Sequence, residues 1–377
     1  VATAFFVNGA TFSNWIPRIP EVRDALGISN GTLGLVLVGS GLGGVAGSLL
    51  TAPAQRRLGS ARTVLGAAVT LSLTLPLVAV AASAVALGAV LVAQGTLDVL
   101  NDLAMNAQGS LVQTALGQPI IQRLHACWSA GAVVGTGLGT LAAAADMALG
   151  WHLSLVAVVL VLATLNAWRF LLPDGPAPGG AGSRQAHLGA SLLTPAAVRL
   201  ALAALGAAVM EGSANDWSAV VLRDRFAARE GAAGVATFVV AGTMVVGRAG
   251  GDQLGLRLGP DRMLRRAVVL AAAGIVVVGV APVTAVALVG FALWGAGNSV
   301  LFPRLYDLGA SQPTLTPAVG LAAMAVGQRV GFLAAPLAVG SLADAADVHV
   351  ALLVAALAAA GLVAGALFRP ERPTRIT

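Results

Sequence analysis

Apolar residues along the chain fall into long blocks, at roughly 1–17, 31–53, 63–82, 84–108, 124–145, 151–171, 197–221, 233–256, 266–281, 283–308, 317–340 and 348–368. Each is near the length of about 20 residues that a helix needs to cross a hydrocarbon core. The pattern predicts an all-α membrane protein of twelve transmembrane helices. The first block begins at Val1 with no charged flank ahead of it and ends at Pro17 and Arg18, so it reads as a span short of a few N-terminal residues rather than as a signal peptide.

Between blocks six and seven, residues from Pro173 to Pro195 carry the Pro, Gly and Ser composition of a linker. This predicts an N-terminal half over residues 1–172, a cytoplasmic linker over 173–195 and a C-terminal half over 196–377. An internal repeat supports the division. Arg57-Leu58-Gly59 with Arg62 recurs 200 positions later as Arg257-Leu258-Gly259 with Arg262. At the same offset Gly95 and Asp98 meet Gly295 and Asn298, and Gly131 meets Gly331; Asn14-Trp15 meets Asp216-Trp217 at an offset of 202.

Composition narrows the class. Of 377 residues 57% are hydrophobic and 10% charged, against roughly 25% charged in soluble domains. Twelve helices would consume about 240 residues, which leaves no room for a separate soluble domain. All 22 basic residues are arginine, and the net charge is +6. In a soluble protein such an excess would suggest nucleic acid; here it reports orientation and contact with anionic lipid, and no nucleic-acid partner is expected. With the N-terminus inside, fourteen arginines fall on the cytoplasmic side, and five, Arg18, Arg23, Arg223, Arg225 and Arg229, fall outside among Glu21, Asp24, Asp224 and Glu230. Both termini are thus predicted to be cytoplasmic. The lone Cys127 can form no internal disulfide.

Gly251-Asp252 followed by Arg257, Gly259 and Arg262 resembles the signature loop of the major facilitator superfamily of secondary transporters. In the first half Arg57, Gly59 and Arg62 survive, with Ala52 at the acidic position. The segments FFVNGATFSNWIPRIPEVRDALGIS, LDVLNDLAMNAQ, RLHACWSAGAVVG and EGSANDWS look like a compact bacterial branch near the fucose-permease-like and sugar-efflux-like members. Two features of drug/proton antiporters are missing. Leu91 stands where those relatives place an arginine, and the glycine series Gly131, Gly135, Gly139 lacks the following proline. The resemblance implies two six-helix halves that rock about a central site, a cavity lined by spans 1, 4, 5, 7, 10 and 11, gating by the loops named above, a single chain as the working unit, and a place in the cytoplasmic membrane.

A charge at the bilayer centre costs upward of about 2.5 kcal/mol, so intramembrane acids are functional candidates. Span 4 carries Gln94, Asp98, Asp102 and Asn106 at successive i+4 steps, with Asn101 and Met105 beside them, on one helical stripe. Two acids one turn apart in a poorly solvated interior suit a proton carrier. Span 7 adds Glu211, Asn215, Asp216 and Trp217, with Glu211 near the midplane and Asp216 further out. Asp98, Asp102, Glu211 and Asp216 are the proton-coupling candidates; hydrogen bonding within the bundle is the structural alternative for each.

Arg329 is the one arginine predicted near the midplane of span 11, and it needs an anion: Glu211, Asp98 or an anionic substrate, with an ion pair across the cavity favoured. Trp15 and Trp217 could stack on a sugar-like ring or anchor helix ends at the interface. His125 could relay protons or bond locally. Asn8, Asn14, Trp128, Trp294 and Asn298 complete the polar set, while Arg248 and Asp252, one turn apart, read as a structural pair. No metal-ligand, nucleophile or phosphate-loop motif is present, so neither a metal, a cofactor nor an enzymatic reaction is expected. The leading expectation is a proton-coupled transporter of a small polar solute. Multidrug or lipid efflux, or a sensor on the same fold, are the alternatives.

Overall fold

The computed structural model describes residues 1–118, 120–173 and 191–368, with the side chains of Glu230 and Asp252 set aside. Most of the expected linker, with Arg184 and the tail arginines Arg369, Arg372 and Arg375, lies outside the described residues. Among those described, regular structure is entirely helical. The first six spans correspond to α1 (Ala2–Ser13), α3 (Asn30–Leu58), α4 (Ser60–Val80), α5 (Ala84–Leu116), α6 (Ile121–Ala144) and α7 (Leu149–Trp168). A 3-10 turn (Ile16–Arg18) and the short α2 (Ile19–Leu26) separate α1 from α3. The second set comprises α8 (Pro195–Phe226), α9 (Glu230–Leu258), α10 (Pro260–Val280), α11 (Thr284–Asn298), α12 (Leu301–Ser311), α13 (Pro317–Ala343) and α14 (Val348–Leu367).

Eleven of these, with α11 and α12 taken as one, are long and apolar enough to cross a membrane, one fewer than the twelve blocks predict. The difference is α1. Its 12 residues rise only about 18 Å, because Pro17 and Pro20 follow and the chain turns into the 3-10 segment and α2. α1 nonetheless packs along α6 inside the bundle. The expected tenth span is also broken, at Ser299-Val300. Pro303 lies in the first turn of α12, has no N–H to donate, and its ring crowds the carbonyl one turn back at Ser299.

The repeat is visible in the backbone. Helices α3 and α9 run over 30–58 and 230–258, and α4 and α10 over 60–80 and 260–280. The hinge glycines Gly59 (φ 79°, ψ 161°) and Gly259 (φ 78°, ψ 154°) adopt one positive-φ conformation, which side chains with a Cβ disfavour. Elsewhere helix starts are set by caps. Ser29 and Ser83 accept from the N–H three residues on, and Thr194-Pro195 and Thr316-Pro317 pair a side-chain cap with a proline whose missing N–H costs nothing there.

Close packing brings α1 onto α6. A Cβ on Gly131 would strike the Phe6 carbonyl, one on Gly135 the Ala10 carbonyl, and one on Gly139 the Asn14 carbonyl. The glycine series of α6 is therefore a groove for the backbone of α1, as small residues provide between membrane helices. Gly131→Val should force these helices apart and destabilise the protein by about 1–3 kcal/mol. Gly361→Ala, whose Cβ meets nothing, should change the melting temperature little; thermal unfolding in detergent compares the two.

Candidate functional site

The α5 stripe turns from the interior of the first helix set toward an open cavity. Gln94 is fully buried and donates to the Thr74 carbonyl of α4 at 3.4 Å. One turn on, Asp98 accepts from Asn8 Nδ2 at 2.9 Å, and the Asn8 carbonyl oxygen accepts from Trp128 Nε1 at 2.8 Å. The Asn8 amide thus joins α1, α5 and α6 through a Trp128–Asn8–Asp98 relay, and the tight α1–α6 approach makes it possible. Asp102 follows, half-buried, accepting from Asn106 Nδ2 at 3.1 Å. Asn101 is fully buried beside the stripe, and neither of its amide atoms has a partner among the described residues.

Asp102 faces basic side chains of both helix sets. His125, exposed and edge-on to Phe5 with ring centres 5.3 Å apart, and Arg329 both act on its carboxylate through space. Arg329 is exposed in the cavity, and its guanidinium donates to Ser48 Oγ of α3 across the two sets. This corrects the expected ion pair: no acid lies within bonding distance of Arg329 among the described residues, Glu211 being paired with Arg248 and Asp98 bonded to Asn8. Glu211 pairs with Arg248 of α9 at 3.5 Å, and its other oxygen is buried without a partner among the described residues. The Arg248–Glu211 contact follows from α8 and α9 lying side by side, while the expected Arg248–Asp252 pair falls on a side chain outside those described.

Several expected site residues sit elsewhere. Trp15, Trp217 and Trp294 are completely buried, so they offer no ring face to a solute and are not interfacial anchors. Phe12 packs edge-on to Trp15, and Phe291 stacks on Trp294. Asn14 belongs to a structural knot, donating to the Ala10 carbonyl at 2.6 Å and contacting His152, which in turn contacts Arg18. Arg18 itself clasps Glu21 and donates to the Met147 carbonyl. Asn298 is buried at the end of α11, with neither amide atom partnered among the described residues. Asn215 and Asp216 are half-buried, and Asp216 has no hydrogen-bond or ion-pair partner among those residues. Arg57, Arg62, Arg257 and Arg262 are exposed near Gly59 and Gly259, at the end of the bundle where α3 meets α4 and α9 meets α10.

The structure adds three residues that the sequence did not single out. Tyr306 of α12 donates to Gln328 Oε1 of α13 at 2.5 Å and lies within electrostatic reach of Asp102 and Arg329. Tyr306 is the only tyrosine in the chain, which is the sole sequence signal for it. Ser48 and Gln328 carry none, being small or polar residues without periodic partners. The Asp102 carboxylate thus shares one partly exposed space with an imidazole, a guanidinium and a phenol.

That space is closed at one end. Gly34 of α3 packs against Pro336 and Gly340 of α13, Gly41 against Leu333, and Ala144 against Gly231, all at the end opposite the termini. Thr140 reaches the Gly234 carbonyl at 3.2 Å on the same side. Arg329 and Ser48 form the innermost of these crossings along the antiparallel α3 and α13. A polar cleft between two helix sets related by a repeat, sealed at one end, is the architecture of a secondary transporter. The Major Facilitator Superfamily profile matches residues 1–316. The chain belongs to the major facilitator superfamily. It is a multi-pass membrane transporter for a small-molecule substrate and not an enzyme.

Among curated relatives, an uncharacterized MFS-type transporter of Yersinia pestis is 28% identical over 356 residues, covering 94% of this chain and 91% of that protein. The membrane protein MosC of Rhizobium meliloti is 26% identical over 94% of this chain and 85% of its own length. The solved nucleoside transporter NupG superposes with a TM-score of 0.78 at 14% identity, over 98% of each chain. A bacterial homologue of the human lysosomal transporter Spinster, in an inward-facing and unoccupied conformation, gives 0.73 at 13% identity, over 97% of this chain and 93% of the other. At these identities the structural likeness is one of fold.

Removing the Asn8 amide should strand both of its partners. Asn8→Leu leaves a half-buried indole N–H and a carboxylate unsatisfied, at a cost of about 1–3 kcal/mol. The emission of Trp128, isolated by difference against Trp128→Phe, should shift. An unchanged spectrum and melting temperature would show that the relay does not hold these helices.

Proposed function

We propose that this transporter moves a small polar solute across the cytoplasmic membrane by alternating access, coupled to protons. In this reading residues 1–172 and 196–377 form the two rocking halves, 173–195 the cytoplasmic linker, and both termini face the cytoplasm. The closed end is then extracellular and the cleft faces inward. The quoted motifs favour the compact bacterial branch near fucose-permease-like and sugar-efflux-like members.

The observation that carries the proposal is the Trp128–Asn8–Asp98 relay, one helical turn from Asp102, with Arg329 facing the same cavity from the other half and bonded to no acid among the described residues. Ionised, Asp98 holds Asn8 by a charge-assisted bond, the stronger kind. A proton on Asp98 weakens that bond and releases Asn8 and Trp128 to meet a solute. Asp102, next to His125 at the open side, takes and returns the proton. Arg329 binds an oxygen of the solute in exchange for Ser48, so that loading the site loosens a bond between the halves. Glu211 and Arg248 form a second charged centre within the C-terminal half. Asp216 has no such neighbour and serves less directly. The hydroxyl-, amide- and charge-lined wall suits a sugar, a nucleoside or a similar metabolite better than an apolar drug.

Flux of labelled sugars, nucleosides and organic acids into proteoliposomes, with and without a pH gradient, tests the coupling. Transport of the accepted solute should rise with the gradient and fall at least tenfold in Asp98→Asn, with a smaller loss in Glu211→Gln. Flux indifferent to the gradient and to both substitutions would overturn proton coupling.

A further inference from the structure

The closed end carries a charge arrangement written twice in the chain. Arg23-Asp24 at the end of α2 and Arg223-Asp224 near the end of α8 are the same dipeptide 200 residues apart. In space they meet reciprocally. Arg23 grips Asp224 with two N–H groups, at 2.6 and 2.7 Å, and Arg223 reaches Asp24 at 3.3 Å. Each arginine therefore bonds the aspartate of the opposite half. The two pairs are not equal. The Arg23 side chain is only 10% exposed and also binds Asn30 and Asp24, whereas Arg223 and Asp24 are 34% and 38% exposed. Burial works against the charge on Arg23, yet the bonds from Asp224 and Asp24 outweigh it, so the guanidinium is held charged more firmly than usual. Asp344 adds a neighbouring clasp: from the end of α13 it accepts the Gly31 N–H at 2.8 Å and the Ser29 hydroxyl at 3.0 Å, at the positive N-terminus of α3.

We propose that Arg23, Asp24, Arg223 and Asp224 are a duplicated ion-pair latch that holds the far end of the cavity shut and must part for that end to open. The inference rests on the alternating-access reading above. A fold built from a repeat brings equivalent positions of its halves together about a pseudo-two-fold axis. A dipeptide of one basic and one acidic residue near that axis is self-complementary, as at an isologous interface. The latch needs no ligand and leaves the solute site untouched: no latch residue contacts Asp98, Arg329 or the relay.

The test uses the full chain in liposomes, with Cys127→Ala and spin labels on Ala82→Cys and Val283→Cys. These two exposed positions lie in the α4–α5 and α10–α11 connections at the closed end. Pulsed electron resonance reads the distance between them. Arg223→Asp and Asp24→Arg, each alone, should increase the long-distance, far-end-open population at least fivefold. Together they place two arginines opposite two aspartates and should return it to the parent level. Both positions are partly exposed, so folding is expected to be retained, and a parent-like melting temperature checks it. Should a single variant melt early, Arg223→Gln with Asp24→Asn removes the outer pair without repulsion and should still raise the open population. Distance distributions alike in all variants, or a double exchange no nearer the parent than the singles, would overturn the latch. Flux is scored separately. Loss of proton coupling with the distance shifts intact would fail the transport reading and leave the latch standing.

Discussion

A hydrocarbon slab offers no hydrogen-bond partner, and everything in this protein follows from that. Backbone groups are satisfied within helices, and side-chain polarity is spent where two or three helices can share it. Leu49, Trp151 and Leu256 face outward, while amides and acids turn inward: Gln94 to Thr74, Asn8 to Asp98, Glu211 to Arg248. Because tails of lipid and side chains of leucine are equally apolar, helices gain by approaching closely rather than by hiding oil. The glycines of α6 let α1 sink in until the Asn8 amide reaches both Trp128 and Asp98.

The same constraint divides the labour among charges. Arg248 neutralises Glu211 inside one half and leaves Arg329 to find a neutral partner across the cavity in Ser48. A guanidinium held by a hydroxyl is a weaker bond between halves than one held by a carboxylate. The cavity layer is thus loosely tied, and the firmer ties lie at the closed end. Partly exposed ion pairs contribute roughly 0–1 kcal/mol each. A handful of them therefore biases an equilibrium between two shapes without locking it, as the proposed alternating access requires.

Hydropathy alone made the class legible, and the i+4 stripe from Gln94 to Asn106 showed which face of α5 turns inward. The repeat was legible too, and the matching bounds of α3 with α9 and of α4 with α10 give it backbone form. The latch was present in the letters as Arg23-Asp24 and Arg223-Asp224. These residues read there only as charges beyond the membrane, because nothing in a linear chain says that two identical dipeptides will face each other. The tryptophans misled for a related reason. Trp15 and Trp217 lie near the ends of their apolar blocks, where an aromatic ring sits at an interface or lines a cleft with equal ease, and only packing shows both to be core.

By itself the sequence determined what depends on local composition and period: helices, their approximate number, the inward face of α5 and the doubled architecture. Tertiary structure decided what depends on neighbours far apart in the chain. Arg329 meets Ser48 and, among the described residues, no acid; Arg248 of one helix meets Glu211 of its neighbour; and the cavity is closed at one end. Hydrophobic burial is non-directional and so can be read as a one-dimensional pattern. A hydrogen bond or ion pair acts over a few ångströms along a set direction, and its partner exists only once the helices have been placed.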